Sequence, residues 1–344
     1  MKQIVTIGGG IAGIEASTTL AQMGYDVTII EKNKNTGGKM NEWNVLFPNE
    51  RPATEITDYL YKKTNNSNLH ILTDTTISKA TRKLNGSYSL LTDKNEKLHA
   101  DTVLISTGFE PFDATKKEEY GYSIYENVIT SVDLENMLRK GQPILTSKGK
   151  KPKRIAFIHC VGSRDAKCGN KYCSRVCCVT GIKQAIECSR QLPESEMFCF
   201  YLDIRMFGLE WERLYQKAQE EYNVQFIRGR MSEACENQDE SLLIKAEDTL
   251  SGLPLKMKVD LIVLLVGITP GKGTKNMASM FSLDREENGF LHINDPHFGK
   301  NYSSKKGIFL TGTCVGPMTV DETLENARSA AVEIDNYLTK KSII

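Results

Sequence analysis

Five of the nine cysteines lie in one short stretch of the 344-residue chain, from Cys160 to Cys178. They follow one another at steps of eight, five, four and one, so the last two are adjacent. None of these steps is the Cys-x-x-Cys spacing of zinc ribbons and thioredoxin-type redox pairs. Four thiolates can hold an iron–sulfur cluster, which the stretch therefore predicts. Spacing alone does not separate iron from zinc, and unliganded buried or reactive thiols are the third interpretation.

Basic residues flank these cysteines, and a cluster with four thiolates is an anion. The helix that is expected to follow Cys178 adds a partial positive charge at its N-terminus. These charges favour a reduced cluster and a raised potential. The alternative is an ordinary solvated basic loop. The flanking residues are Arg164, Lys167, Lys171, Arg175 and Lys183.

The cysteines are expected to sit where a strand turns into a helix. The apolar run Ile155–Ile158 precedes them and is typical of a buried strand. A helical pattern begins near Thr180. In a doubly wound α/β domain this turn faces the ligand crevice.

A second candidate site lies at the start of the chain. The strand pattern Gln3–Ile7 is followed by G-x-G-x-x-G at Gly8, Gly10 and Gly13, then by a helical stretch and a second strand that ends at Glu31. In this context the glycines allow close approach of a pyrophosphate to a helix N-terminus, and the acid accepts ribose hydroxyls. The segment predicts a dinucleotide site.

Three stretches resemble flavoproteins with two dinucleotide-binding domains and favour FAD over NAD. They are Glu31 with Gly37-Gly38, the segment Val103–Gly108, and the segment Gly307–Gly312. The family usually has Asp after the last glycine, whereas Thr313 and Cys314 stand here, so that contact with the flavin must differ. The resemblance implies flavin contacts at Gly8, Gly10, Ile11, Ala12, Gly13, Glu31, Lys32, Gly38, Lys39, Met40, Thr107, Gly108, Gly312, Thr313 and Cys314.

The strand before the cysteines echoes the strand at the start of the chain. The interval from Gly8 to Glu31 is 23 residues, whereas that from His159 to Asp203 is 44, so the second unit has about 20 extra residues at its first turn. His159 and Cys160 replace glycines of the phosphate turn. We expect His159 to be a packed residue, and the second unit to have exchanged a nucleotide site for a cluster.

The predicted fold class is α/β, with two Rossmann-like domains of the thioredoxin and disulfide reductase flavoprotein type, the second with a Cys-rich insertion. Residues 1–145 and 271–344 are assigned to a discontinuous FAD domain. Residues 146–270 are assigned to a unit like an NAD(P)H domain, rebuilt to hold the cluster.

Composition argues against several other classes of function. There are 44 basic and 43 acidic residues, for a net charge of +1, which gives no reason to expect a nucleic-acid or anionic-membrane partner. No apolar run approaches the roughly 20 residues of a membrane span. A strand begins at Gln3, so no signal peptide is expected. Nine cysteines then predict a reducing, cytoplasmic setting.

Three motifs resemble the A-type subunits of heterodisulfide reductases, including short relatives in sulfur-oxidising complexes and the related component of a quinone-interacting oxidoreductase. They are Cys-Val-Gly-Ser-Arg-Asp, Tyr-Cys-Ser-Arg-Val-Cys-Cys and Thr-Gly-Thr-Cys-Val-Gly-Pro, which begin at residues 160, 172 and 311. The resemblance implies a [4Fe–4S] cluster with the ligands Cys160, Cys173, Cys177 and Cys178. Cys168 lies outside the family pattern and is expected to be a spare thiol.

Two departures imply the short, single-cluster form of that family. The chain has none of the ferredoxin-type Cys-x-x-Cys-x-x-Cys motifs that the long form uses for flavin-based electron bifurcation. The family often has a cysteine after Phe-Pro near the flavin loop, and the segment Phe47–Pro52 has none.

The predicted function is that of an FAD- and [4Fe–4S]-containing electron-transfer subunit that couples two-electron flavin chemistry to one-electron transfer in thiol/disulfide or sulfur metabolism. Expected partners are B- and C-type subunits of such complexes or other electron carriers, together with a second copy in a homodimer. One alternative is an NAD(P)H-dependent flavin disulfide reductase, which requires a redox cysteine pair beside the flavin. Another is a zinc-stapled flavin scaffold. No side-chain catalytic set is apparent.

Overall fold

The computed structural model describes residues 1–339, which form two compact units. Unit 1 contains Met1–Asn41, Ala53–Glu110 and the chain from Thr269 onward, and unit 2 contains Glu42–Pro52 and Pro111–Ile268. The helices are α1 (Ile11–Gln22), α2 (Ala53–Lys63), α3 (Ser131–Arg139), α4 (Cys177–Gln191), α5 (Leu209–Glu220), α6 (Lys272–Phe281) and α7 (Val320–Leu338). The strands are β1 (Gln3–Ile7), β2 (Asp26–Ile30), β3 (Val45–Leu46), β4 (Arg51–Pro52), β5 (Leu69–Leu72), β6 (Ile77–Arg82), β7 (Tyr88–Thr92), β8 (Lys97–Ala100), β9 (Thr102–Ile105), β10 (Phe109–Pro111), β11 (Val128–Thr130), β12 (Arg154–Val161), β13 (Glu196–Tyr201), β14 (Gln225–Arg228), β15 (Met231–Glu236), β16 (Leu242–Asp248), β17 (Leu253–Val259), β18 (Leu261–Val266), β19 (Ile268–Pro270) and β20 (Ile308–Leu310).

Unit 1 is built on a five-stranded parallel sheet in the order β20-β9-β1-β2-β5. The strands are nearly continuous apolar runs, as expected for a parallel sheet that is buried on both faces. Helices α1 and α7 pack together over one face, where Ile14 and Leu20 share a core with Ala330 and Ile334. A separate antiparallel sheet, β6-β7-β8, follows β5.

Unit 2 repeats this plan. Its five parallel strands have the order β11-β18-β12-β13-β14, with β12 and β13 in the places of β1 and β2. An antiparallel sheet, β15-β16-β17, again precedes the strand that pairs beside the first one. The α/β class and the internal echo are therefore confirmed. Two of the three meander strands, β15 and β17, were not predicted.

The observed units divide the chain at a different place from the expected boundary at residue 145. Strand β11 pairs in parallel with β18, and α3 follows it directly, so residues 111–145 fall in unit 2. Helix α3 is only nine residues long, and a capping box of Thr130 and Asp133 defines its start. Such a short element has too few apolar repeats to be recognised by period.

The segment 42–52 also falls in unit 2, although the chain on both sides belongs to unit 1. A buried polar network explains this. Glu135 of α3 accepts from Lys183 of α4 at 2.7 Å and from the backbone N–H of Asn44 at 2.9 Å. The Asn44 side chain donates to Glu187, also on α4, at 2.9 Å. Across residues 1–339 no helix has the length and apolar character that a membrane span needs.

Candidate functional site

The N-terminal turn is closed by two glycines that have no room for a side chain. Strand β1 ends at Ile7, and α1 begins four residues later at Ile11. A Cβ added to Gly8, whose φ is +112°, would lie 2.3 Å from the Ser106 carbonyl oxygen. A Cβ on Gly13 would lie 2.0 Å from the carbonyl oxygen of Gly8. These two residues therefore let strand, turn and helix pack closely.

Gly10 is different because its missing side chain would point into open space. A Cβ added there would meet no protein atom within 4 Å. Gly10 is the N-cap of α1 and offers no side-chain cap, so the first-turn N–H groups of the helix face outward. A helix N-terminus with bare N–H groups and a bare glycine is a fitting cradle for a pyrophosphate.

Glu31 is fixed beside this turn. The side chain is buried, and its two oxygens accept from the backbone N–H groups of Gly9 at 2.7 Å and Asn33 at 2.9 Å. A carboxylate has about four lone-pair sites, so two bonds leave capacity for ribose hydroxyls. The predicted role of Glu31 is compatible with its position.

The second glycine pair lies against the first turn. The N–H of Gly37 donates to the carbonyl of Gly9 at 2.7 Å, and Gly37 forms an isolated parallel bridge with Gly10. A Cβ on Gly38, whose φ is +58°, would lie 3.1 Å from the Cα of Gly10. The fold thus brings together the two motifs that the sequence separates by more than twenty residues.

The other residues predicted after β2 have mixed surroundings. Met40 is buried, whereas Lys32 and Lys39 are partly or largely exposed. The Lys39 ammonium lies 3.4 Å from a Glu110 oxygen, and that of Lys32 lies 3.9 Å from the other. The Thr107 hydroxyl is paired with the Thr274 hydroxyl at 3.0 Å. Their roles toward a flavin stay predictions.

The C-terminal glycine also reaches the first turn. A Cβ on Gly312, whose φ is +70°, would lie 2.7 Å from the Cβ of Ala12 in α1. The Gly312 N–H donates to Asn326 Oδ1 at 2.9 Å, and the Thr311 hydroxyl donates to the same oxygen at 3.0 Å. Asn326 was missed by the sequence analysis. A poor helix former inside α7 is the signal that could have revealed it.

Thr313 and Cys314, which stand where the family usually has an acid, have separate environments. A Cβ on Gly108 would lie 3.9 Å from Thr313 Oγ1, so these two predicted residues are neighbours. The Cys314 thiol is fully buried and donates to the carbonyls of Thr311 and Ile105. Burial raises the pKa of Cys314 to about 12, so the side chain is a neutral thiol in the core.

In unit 2 the cysteine turn begins with an irregular strand end. The register between β12 and β18 shifts between Ile158 and Val161, and Cys160 has a left-handed φ of +60°. Arg164 and Arg175 have φ values of +53° and +63°. Bulges re-aim side chains next to functional sites, and such conformations persist only where their surroundings enforce them.

Three of the four predicted ligands are buried together. Cys160, Cys177 and Cys178 lie in the same apolar cluster, and Cys177 and Cys178 are the first two residues of α4. Hydrogen bonding with Cys177 lowers the pKa of both Cys160 and Cys178, whereas the same contacts raise the pKa of Cys177. The helix N-terminus adds a partial positive charge. The arrangement favours the thiolates of Cys160 and Cys178, the form that binds metal, whereas Cys177 is held as a thiol until a metal displaces its proton.

The other two cysteines of the stretch differ. Cys173 is partly buried, and its sulfur accepts from the N–H of Arg175 at 3.3 Å. Cys168 packs on a different apolar cluster, with Phe112 and Tyr120, and burial raises the pKa of its thiol. Within residues 1–339 no three His, Cys, Asp or Glu side chains converge on the position of a single ion. In a [4Fe–4S] cluster, by contrast, each thiolate binds a different iron, so the sulfurs surround a cage.

The charges around the turn only partly match expectation. One guanidinium nitrogen of Arg164 donates to Asp203 at 2.7 Å, and the other, Nη1, is buried without a partner. An anionic cluster bound to Cys160 fits this orphaned donor, because the two side chains interact. The ammonium of Lys183 lies 2.7 Å from Glu135 in a buried ion pair, so an acid already balances its charge.

The second turn has no phosphate cradle of the N-terminal kind. Fifteen residues lie between the last residue of β12 and the first of α4, against three at the N-terminal turn. His159 is buried, and Gly181 of α4 gives it room: a Cβ there would lie 3.0 Å from its ring carbon Cε1. This burial agrees with the expectation that His159 is packed in the core, although neither of its ring nitrogens has a hydrogen-bond partner among residues 1–339.

Residues 2–136 match the family described as pyridine nucleotide-disulphide oxidoreductase. The fold is that of thioredoxin reductases. The enzyme from T. acidophilum aligns with 99% of this chain and 100% of its own, at a TM-score of 0.65 and 16% identity. Thioredoxin reductase from Lactococcus lactis, in the FR conformation, also aligns with 99% of this chain and 100% of its own. Its TM-score is 0.64 and its sequence identity is 14%.

Curated relatives at higher identity are components of a different class of enzyme. The A-type iron-sulfur subunit of CoB–CoM heterodisulfide reductase from Methanocaldococcus jannaschii is 31% identical over 415 residues, which cover 96% of this chain and 63% of the relative. The A-type subunit of the H(2):CoB-CoM heterodisulfide,ferredoxin reductase from Methanothermobacter thermautotrophicus is 39% identical over 240 residues, or 68% of this chain and 36% of its own. The chain thus spans less than two thirds of these relatives.

Proposed function

The chain is a homologue of the A-type subunits of heterodisulfide reductases, and from this premise we propose that it is an FAD- and [4Fe–4S]-containing electron-transfer subunit of a heterodisulfide reductase-like complex. The alignment with the M. jannaschii protein is longer than this chain, so the relative has residues between the aligned ends that this chain lacks. This supports the proposal of a short form.

The open space at Gly10 carries the FAD half of the proposal. It lies at the N-terminus of α1, beside the buried Glu31 and the glycine pair that begins at Gly37. Gly10 and the first-turn N–H groups would hold the pyrophosphate, and Glu31 would orient a ribose. The acid that usually contacts the flavin chain is absent, and Thr313 would stand in its place.

The orphaned Arg164 donor beside buried, thiolate-favouring cysteines supports the cluster half. Cys160, Cys177 and Cys178 would each bind an iron, and Cys173 would supply the fourth thiolate. The apolar surroundings of the first three would exclude water. When bound, FAD exchanges two electrons and the cluster exchanges one, which is the chemistry that such a subunit contributes to thiol/disulfide or sulfur metabolism.

The proposal also covers the assembly. B- and C-type subunits or other electron carriers would hold the sulfur chemistry, because the described residues show no cysteine pair suited to it beside the Gly38 turn. We propose a homodimer in a reducing, cytoplasmic setting, where nine free thiols are stable.

Cofactor analysis tests the proposal. Anaerobically purified protein is expected to contain one FAD and about four iron and four sulfide per chain, and to give the EPR signal of a reduced [4Fe–4S] centre. Stoichiometric zinc without labile sulfide would instead establish the zinc-stapled scaffold.

The NAD(P)H-dependent reductase is the alternative function, and it predicts a different response to nucleotide. We expect neither NADH nor NADPH to reduce the flavin rapidly in the isolated protein. The end of β12 has His159 and Cys160, and an insertion follows it, where a compact phosphate cradle would be needed. Stopped-flow mixing, followed at the flavin absorption band, measures this. Rapid, saturable bleaching by either nucleotide would favour the reductase.

A further inference from the structure

An apolar and basic loop lies exposed in unit 2, between the end of β13 and the start of α5. In this β13–α5 loop (residues 202–208) side chains alternate. Ile204 and Met206 are partly buried and pack against the core cluster that contains the cysteines. Arg205 and Phe207 face solvent, and Phe207 is 52% exposed. Leu209, the first residue of α5, is 93% exposed. Packing against the core thus fixes one side of the loop, and the opposite side faces solvent.

The β13–α5 loop touches the cysteine turn at two points. The Cys178 thiol donates to the carbonyl oxygen of Asp203 at 3.6 Å. The Arg175 guanidinium lies over the Phe207 ring, 5.5 Å from its centre. A molecule bound to Phe207 would therefore lie directly beside the segment that carries the predicted ligands.

Basic side chains outnumber acidic ones on this face by five to three. The acids are Asp203, Glu210 and Glu212, and the bases are Arg164, Arg175, Arg205, Arg213 and Arg228. Asp203 accepts from Arg164 at 2.7 Å and lies 3.4 Å from Arg228, and Arg205 is close enough to act on the same carboxylate. Two guanidiniums thus contact one acid, and the charge of a third acts on it. An exposed Phe beside Arg is a combination that is enriched at protein interfaces relative to other surfaces.

We propose that the β13–α5 loop, with Leu209, is the docking site for a small acidic carrier protein that transfers one electron at a time. The inference rests on the proposed function, because it is the cluster in the cysteine turn that would exchange the electron. The carrier would lose one electron and the cluster gain one, or the reverse, with no bond made or broken. Basic charges would steer the carrier, and Phe207 and Leu209 would supply the apolar contact.

The charge of the face argues against a second copy as its occupant. A two-fold dimer places the same patch of both protomers against itself. Here that would bring the guanidiniums of Arg205 and its neighbours face to face, and like charges across an interface are unfavourable. An acidic partner gains from the same charges.

Binding of flavodoxin, an acidic one-electron carrier, to the full chain tests the proposal. Isothermal titration at about 0.02 M and about 0.3 M salt should show affinity that falls at least tenfold as charges are screened. Arg205→Glu should raise Kd about tenfold or more at low salt, and Phe207→Ser by a similar factor. Lys256→Glu, at an exposed position on β17, is the matched charge reversal and should leave Kd unchanged.

Three outcomes would overturn the proposal: no binding of flavodoxin to the wild-type chain, equal weakening by Lys256→Glu, or wild-type affinity in both loop variants. Sedimentation of the same samples detects the competing occupant, since loss of a dimer in Phe207→Ser with unchanged flavodoxin binding would assign the face to a second copy. Iron, sulfide and FAD are quantified in each sample. A wild-type chain without a cluster would refute the proposed function, whereas the Kd values report on docking separately.

Discussion

Replacing Cys177 with alanine is expected to remove the iron–sulfur cluster, with iron falling from about four per chain to less than about one. Cys177 is fully buried between Cys160 and Cys178 and interacts with both thiols. A cubane that loses this ligand would have one iron without its thiolate in an apolar pocket. Iron and sulfide analysis, together with the EPR spectrum of the dithionite-reduced protein, measures the loss.

The helix that carries Cys177 supplies a closely matched control. Cys188 is also fully buried on α4, so Cys188→Ala removes the same thiol from the same helix, farther along. Its cluster content should equal that of the wild type. Cys168→Ala should likewise keep the cluster, because Cys168 packs on another apolar cluster. FAD content should be unchanged in all three variants.

Two further variants can show that the proposed set of ligands is wrong. Cys160→Ala and Cys173→Ala should both lose the cluster. If Cys168→Ala loses it while Cys173→Ala keeps it, the fourth ligand is Cys168 rather than the partly buried Cys173. A full cluster in Cys177→Ala would place the site elsewhere.

The N-terminal turn was predictable because each of its features is local. Gly8 and Gly13 must lack side chains because atoms of the same β-α-β segment and of the neighbouring strand end lie too close. Glu31 lies directly after the next strand. The repeated strand order of the two units was predictable for the same reason, since β12 copies the apolar run of β1.

Features that depend on distant residues were not predictable. Lys183 seemed available to a cluster, but its partner Glu135 lies 48 residues earlier in the chain, on α3. Asn326 reaches Gly312 from a different helix. The start of α4 at Cys177 was also misplaced near Thr180, because cysteine and valine at a helix start carry no capping signal. That difference matters for the proposed site, since it makes two of the predicted ligands the first residues of the helix.

Gly10→Val is expected to abolish FAD binding while the apoprotein stays folded. No protein atom outside the adjoining backbone lies within 4 Å of the position of the new Cβ, so the branch point of the side chain meets no clash. The backbone at Gly10, with φ −75° and ψ −177°, is extended and open to any residue. The isopropyl group would instead occupy the space that the pyrophosphate needs.

The expected loss is a rise in the Kd for FAD of at least about 100-fold, equivalent to about 2.7 kcal/mol. Gly10→Ala adds one carbon at the same place and should weaken FAD binding less. The loss of affinity should therefore increase with the size of the side chain at residue 10. Glu31→Ala should also be milder, although it removes the acceptor for the Gly9 N–H as well as ribose bonds. Flavin fluorescence titration of the apoproteins gives the three values.

Circular dichroism and iron content distinguish a variant that has lost only its FAD site from one that no longer folds. Gly10→Val should retain the wild-type spectrum and a full cluster, because Gly10 belongs to unit 1 and the cysteine turn to unit 2. Gly13→Ala provides the contrast, since its Cβ would lie 2.0 Å from a backbone oxygen and should lower the free energy of unfolding as well as FAD binding. If Gly10→Val binds FAD as the wild type does, the cradle at the start of α1 is not the pyrophosphate site, and the flavin assignment of unit 1 fails with it.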